Sequence, residues 1–257
     1  MGITLKRRLY ESIRCIRHNL VHLSMFRLSF DGQYWRVRDR DGLDMRFPFY
    51  PYTAFLEIEG YLRHGRWKLE PGMTVVDAGG CYGEYALYAA KKVGAQGRVL
   101  MLEPDLENLK IAEEVFALNG SPSCMRVDTT GLWKSAGQLS FAQGLAGASQ
   151  LVESSDAVPP GATMTHIKVE TLMTMAQKHD FARMDMVKID IEGAELEVIS
   201  AAKDAIERFK PRFAIASYHL RDGKMTSETL EQMFRDFGYA VETGFDTHRT
   251  TWAGVTI

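Results

Sequence analysis

The sequence predicts an α/β fold, a mostly parallel sheet with helices on both faces and an antiparallel hairpin at one edge. Three observations predict it. From Met73 onward, short apolar runs alternate with amphipathic segments of helical period. The run VVDAGGCYG, residues 75–83, carries a strand into an acid and then through glycines into a helix. The chain closes on two β-rich runs, YAVETGF and TTWAGVTI, joined by a short polar link.

The chain has 257 residues, 46% hydrophobic and 25% charged, the balance of a globular protein able to bury a full core. No apolar run reaches the length of a membrane span, so no transmembrane helix is expected. Residues 1–23 are basic but lack the continuous apolar stretch of a signal peptide. Cys15, Cys81 and Cys124 are scattered, odd in number and without metal-type spacing, which predicts a reducing, cytoplasmic setting.

Two parts are expected: residues 1–70 packing on the core, and residues 71–257 forming the sheet domain, with an insertion near 131–168. The first forty residues carry nine Lys and Arg against three Asp and Glu. Arg7, Arg14 and Arg17 share one helical face, with Leu9, Ile13, Ile16 and Leu20 on the other. Such a helix packs its apolar side on the domain or on a second subunit of a homodimer, or makes weak contact with a membrane surface. The sequence pI of about 6.4 argues against a dedicated nucleic-acid binder. Asp31-Gly32 and Asp41-Gly42 then punctuate short antiparallel strands. An aromatic segment around Phe47 to Phe55 and a helix near 53–65 lead into the sheet.

Within the sheet, strands are read at MTVVDAG, RVLMLEP, SCMRVDT, DMVKIDI and RFAIASY, before the two closing strands. Helices are read at EYALYAAKKV, LENLKIAEEVFALNG, AELEVISAAKDAIERF and TSETLEQMFRDFG. Between Thr129 and Thr171 the rhythm breaks. LWKSAGQLSFAQ has the pattern of a hairpin, and residues 144–161 form a Gly/Ser/Pro-rich loop of a length that suits a mobile lid.

The glycine turn narrows the chemistry. Gly79, Gly80 and Gly83 permit a tight turn, and the helix behind it presents unpaired N–H groups. Glu103 ends the next strand, where an acid accepts both hydroxyls of a ribose. A dinucleotide site wants G-x-G-x-x-G for its pyrophosphate, and that spacing is absent. The acid Asp77 before the glycines suits an ammonium group better, as in S-adenosylmethionine. A second motif, MVKIDIEGAELEVI, places Asp190 at a strand end, Gly193 in the turn and Glu195 in the first helical turn. Asp77, Glu103, Asp128, Asp190 and His219 all fall at the carboxyl ends of strands, where open α/β sheets bind ligands.

On VVDAGGCYGEYALYAA, VLMLEPDLENLKIAEEVFALNG, GLWKSAGQLSF, VETL and DMVKIDIEGAELEVISAA, the chain resembles the FkbM family of S-adenosylmethionine-dependent methyltransferases. The matching pieces cover about two-thirds of the chain. It departs from the family's usual pattern at Gly80-Cys81-Tyr82 and at Met173. The resemblance implies a Rossmann-like class I methyltransferase fold with a seven-stranded sheet. It also implies methyl transfer, commonly to an oxygen of a sugar, polyketide or other natural product. By that resemblance Asp77 orients the methionine ammonium, directly or through water, and the backbone of Gly79, Gly80, Cys81, Tyr82 and Gly83 lies against the methionine moiety. Glu103 binds the ribose, and Asp128 or Thr129 meets the adenine edge.

An alcohol acceptor must lose a proton, and His219 just past the fifth strand is the expected base, beside Asp190. His166 in the insertion is a second choice; His18, His22 and His64 precede the sheet and His248 follows it. Asp190, Glu192 and His219 are also compatible with a divalent metal, although a side chain two residues beyond Asp190 is expected to point away. Two other functions stay open: a nucleoside-cofactor-binding protein of this fold without methyl transfer, and a nicotinamide-dependent oxidoreductase.

Overall fold

A computed structural model describes residues 5–22, 24–63, 65–152, 159–221, 223–245 and 248–256. Helix α1 (Leu5–Val21) leads into an antiparallel meander of β1 (Arg27–Phe30), β2 (Trp35–Arg38) and β3 (Asp44–Phe47). The two Asp-Gly pairs make its turns. Asp31 Oδ1 accepts the N–H groups of Gln33 and Tyr34, and Asp39 Oδ1 those of Asp41 and Leu43. Phe26, Trp35, Val37, Met45 and Phe47 bury themselves against Phe55 and Ile58 of α2 (Tyr52–Tyr61) and Tyr88 behind the sheet.

Helix α1 does not pack its apolar stripe on the domain. Leu9, Ile13, Ile16 and Leu20 are 54 to 75% exposed, while Glu11, Cys15 and His18 are buried. The polar side holds it there: Asn19 exchanges two hydrogen bonds with the backbone of Leu28, at 2.8 and 2.9 Å, and Arg14 lies over the Tyr50 ring.

The main sheet begins with β4 (Thr74–Ala78), α3 (Glu84–Val93), β5 (Arg98–Leu102), α4 (Leu106–Leu118) and β6 (Met125–Asp128). Next come the insertion strands β7 (Gly131–Leu132), β8 (Gly137–Gln143), β9 (Gln150–Leu151) and β10 (Thr163–Glu170), then α5 (Leu172–Lys178). The sheet resumes with β11 (Met186–Ile189), α6 (Glu195–Ser200), α7 (Lys203–Phe209) and β12 (Arg212–Ala216). A short ribbon of β13 (Leu220–Arg221) and β14 (Lys224–Met225) precedes α8 (Thr226–Asp236), β15 (Ala240–Phe245) and β16 (Arg249–Gly254).

Seven strands pair in the order β15-β16-β12-β11-β4-β5-β6. The closing hairpin is antiparallel as expected, with β16 inserted beside β12 and β15 left at the edge. Every residue of β4 and β11 is buried, because helices cover both faces of the parallel centre. One core layer joins Leu87, Val99 and Met101 to the N-terminal meander; the other joins Val76, Ile189 and Phe213 to α5, α6, α7 and α8. Strand order reverses between β4 and β11, and a crevice opens there at the carboxyl ends.

Two sequence expectations change. Residues 194–209 form two helices, α6 and α7, broken at Ala201 and Ala202, whose N–H groups bond three residues back. The insertion is no simple hairpin. Strand β10 lies between β7 and β8, parallel to the first and antiparallel to the second, giving the order β7-β10-β8-β9. The apolar alternation of residues 163–170 belongs to that strand, which pairs β8 along its whole length.

Candidate active site

The crevice divides into two adjoining cavities that share Gly79, Cys81, Gly147, Asp190 and Glu192. The glycine turn forms the wall between them. Gly79 has φ 75°, and a Cβ there would sit 1.7 Å from the carbonyl oxygen of Asp190. Only glycine lets the turn after β4 lie directly on the chain leaving β11. Gly79 and Gly80 donate their N–H groups to Leu102 O, tying the turn to β5. Gly79, Gly80, Cys81 and Tyr82 line the cavities; Gly83, with φ 81°, instead gives up its side-chain space to the Phe116 ring.

Glu103 lies on the floor of the first cavity. Its Oε2 accepts the Cys81 N–H at 2.7 Å and its Oε1 the Asp105 N–H at 2.8 Å. Burial pushes the carboxyl up to about 7, against these hydrogen bonds, which favour the charged form. The Asn108 side chain is a third donor to this carboxylate. Around it stand Asn108 and an apolar slab of Leu132, Phe141, Leu151 and Ile167. That slab comes from the insertion and was not legible as a binding wall in the sequence. Alternation along β10 turns Ile167 inward and leaves His166 exposed, which removes His166 from consideration as a base.

The loop after β8 closes this cavity. Asp105 Oδ2 accepts the Gly144 N–H at 2.7 Å and the Ser149 hydroxyl at 2.6 Å, so Gly147, Ser149 and Leu151 stand in the wall. The expected lid therefore has its first half pinned; residues 153–158 lie outside the described residues, as does His64.

Three expected site residues line neither cavity. Asp77 is fully buried and lines neither cavity; it faces Lys188, its register partner on β11, with Nζ 3.1 Å from Oδ1. Lys188 also donates to Gly79 O at 2.7 Å, so the pair props the glycine turn. Burial raises the Asp77 carboxyl while Lys188 draws it back. Asp128 is engaged elsewhere. Its carboxylate accepts from Thr130 N at 3.0 Å and meets Lys178 Nζ at 2.7 Å and His179 Nε2 at 2.8 Å. Burial opposes ionisation, yet these donors outweigh it and hold the carboxyl well below its usual range. Thr129 is exposed and lines neither cavity.

The second cavity is acidic. Glu57, Glu84, Asp190 and Glu192 reach it, together with Tyr61 and Tyr218. Burial pushes the Glu84 carboxyl up to about 7. Glu57 and Tyr61 share one face of α2 at an i, i+4 spacing, and the Tyr61 hydroxyl donates to Asp190 Oδ2 at 2.8 Å. Asp190, Glu192 and His219 come together, with one ligand atom of each within 4.8 Å of the others. Glu192 points in, contrary to the expectation from its spacing, because φ 55° places it in the left-handed region. Burial alone would lower the His219 pKa, but Glu192, Glu195 and Asp190 outweigh it and raise it to about 10. The expected base His219 therefore shares its proton with the carboxylates around it, Asp190 among them. Burial also raises the Cys81 thiol, which leaves it no nucleophile.

Comparison with known proteins agrees with this geometry. A curated relative, Methyltransferase sdnD of Sordaria araneosa, is 27% identical over 157 residues, 51% of this chain and 60% of its own length. The crystal structure of methyltransferase FkbM from Methylobacillus flagellatus KT superposes with a TM-score of 0.54 at 22% identity, over 76% of this chain and 47% of that one. That likeness shows the fold, a class I methyltransferase sheet. Thus the chain spans less than two-thirds of either relative. The profile described as Methyltransferase FkbM domain matches residues 77–241, from the acid of the first sheet strand into β15. The chain belongs to the FkbM methyltransferase family.

Proposed function

We propose that this chain is an S-adenosylmethionine-dependent methyltransferase acting on a hydroxyl oxygen of a small-molecule or glycan acceptor. The observation that carries the reading is the pairing of the two cavities. One has a buried carboxylate, Glu103, beside an apolar slab, which suits a nucleoside; the other is lined by four carboxylates against one lysine, Lys188, itself paired with Asp77, which suits a cation. S-adenosylmethionine joins a nucleoside to an ammonium and a sulfonium, so the residues present fit it. A nicotinamide dinucleotide fits worse. Its pyrophosphate would meet the acids instead of free helix N–H groups.

When bound, S-adenosylmethionine supplies a methyl group on an already reactive sulfonium. The protein's part is then positioning and handling one proton. Glu103 and Asn108 hold the nucleoside end, and Leu132, Phe141 and Ile167 exclude water from it. Glu57 and Glu84 attract the cationic end. The acceptor enters beside Tyr218, and its hydroxyl loses its proton to one of the carboxylates lining that cavity. The test is formation of S-adenosylhomocysteine on mixing the protein, S-adenosylmethionine and a panel of hydroxylated small molecules and oligosaccharides. Product is expected with at least one of them. Binding of the methyl donor without product from any acceptor, amines included, would favour a binding protein without chemistry.

A further inference from the structure

The rim at β11 and β12 is built more closely than proton transfer requires. Asp190 has one oxygen engaged by Tyr61, and its Oδ1 is buried without a hydrogen-bond partner. The His219 side chain is 10% exposed, and neither ring nitrogen makes a hydrogen bond of good geometry. Its Nε2 lies 3.5 Å from Glu192 Oε2 and 3.9 Å from Asp190 Oδ1. Behind the ring, the fully buried Glu195 sets Oε1 3.1 Å from Nδ1. The same oxygen accepts the N–H groups of Ile191 and Gly193 at 3.2 Å, so it is fixed.

A carboxylate behind Nδ1 keeps a proton on that nitrogen, and a cation at Nε2 would take the place of the proton that the surrounding carboxylates otherwise hold there. This is the arrangement that orients metal-bound imidazoles. We propose that Asp190 Oδ1, Glu192 Oε2 and His219 Nε2 hold one divalent cation of the first transition row, with its open positions facing the acceptor cavity. Neighbouring ligand atoms about 3.0–3.4 Å apart surround an ion at about 2.1 Å, so the 3.5 and 3.9 Å separations from Nε2, and the two carboxylates within 4.8 Å, draw together on binding. Two carboxylates and one imidazole favour Mn²⁺, Fe²⁺ or Zn²⁺ over Ca²⁺. The left-handed backbone at Glu192 is explained by the same site, since it aims that carboxylate at Nε2. That the open positions receive an acceptor oxygen rests on the methyl-transfer reading; the cation site itself does not.

Mn²⁺ is the probe. Purified protein is stripped with chelator, dialysed and titrated with Mn²⁺, and free ion is read from its paramagnetic resonance signal. One bound ion per chain, with a dissociation constant below roughly 100 μM, is expected. Glu192→Gln and His219→Gln should each weaken it at least about tenfold while keeping the native circular dichroism. Absence of a stoichiometric ion in the wild type overturns the proposal. So does equal affinity in a folded Glu192→Gln protein, should His219→Gln fail to fold. Calorimetry with S-adenosylmethionine on the same wild-type sample separates the two readings. Mn²⁺ bound without the methyl donor overturns the proposed function and leaves the cation site. The donor bound without Mn²⁺ does the reverse.

Discussion

The two sides of the crevice are built by different means. On the β4–β5 side the main chain is the structural material: Gly79 lies on the Asp190 carbonyl, and Glu103 is fixed by the N–H groups of Cys81 and Asp105. On the β11–β12 side, side chains remote in sequence converge, with Glu195 behind His219 and Tyr61 against Asp190. The difference sets what substitution does. A backbone-built wall tolerates no added side chain, whereas a side-chain cluster tolerates change of shape and fails on change of charge or donor.

The largest expected effect breaks the backbone side. Gly79→Ala must adopt a left-handed conformation and also displace the Asp190 carbonyl, at a cost of more than about 3 kcal/mol. Gly42→Ala carries the same conformational strain, φ 88°, with no atom within 4 Å of the new Cβ, and should cost about 1 kcal/mol. Urea unfolding of the two variants measures the contrast. Equal losses would mean that the approach of the turn to β11 is not rigid.

The next effect sharpens the join between the two sides. Lys188→Met leaves Asp77 buried without its partner, which costs about 3–5 kcal/mol. Adding Asp77→Asn should recover a large part of that loss, because the uncompensated charge is removed. Thermal melts of the single and double variants check it. No recovery would show that Lys188 acts through Gly79 O alone.

The contrast also explains what the sequence disclosed. The mostly parallel sheet with its antiparallel closing hairpin, the glycine turn and the strand-end position of Glu103 follow local rules of apolar runs, turn chemistry and a strand-end acid, and the structure has them as expected. Asp77 and Asp128 satisfied the same strand-end rule and still went elsewhere. Lys188 is bound to one by parallel register and Lys178 and His179 to the other, and such partners are invisible in local spacing. The apolar slab was missed because β10 threads between β7 and β8, a pairing that no hairpin pattern announces. Glu57 and Tyr61 carried a weak signal, an acid and a phenol one helical turn apart on a segment read only as a lead-in.

Calorimetric titration with S-adenosylmethionine, in the wild type and in Glu103→Gln between pH 6 and 8, tests the central claim most directly. Ribose hydroxyls donate to the carboxylate form of Glu103, whose pKa is held up to about 7, so affinity should rise with pH and level off above it. At pH 6 the wild type should bind roughly tenfold more weakly than on the plateau, with Glu84 acting in the same direction. Glu103→Gln should lose about 1.5–3 kcal/mol at pH 8 and show a flatter profile. A Glu103→Gln protein that binds like the wild type, or a wild type that prefers a nicotinamide dinucleotide, would contradict the account.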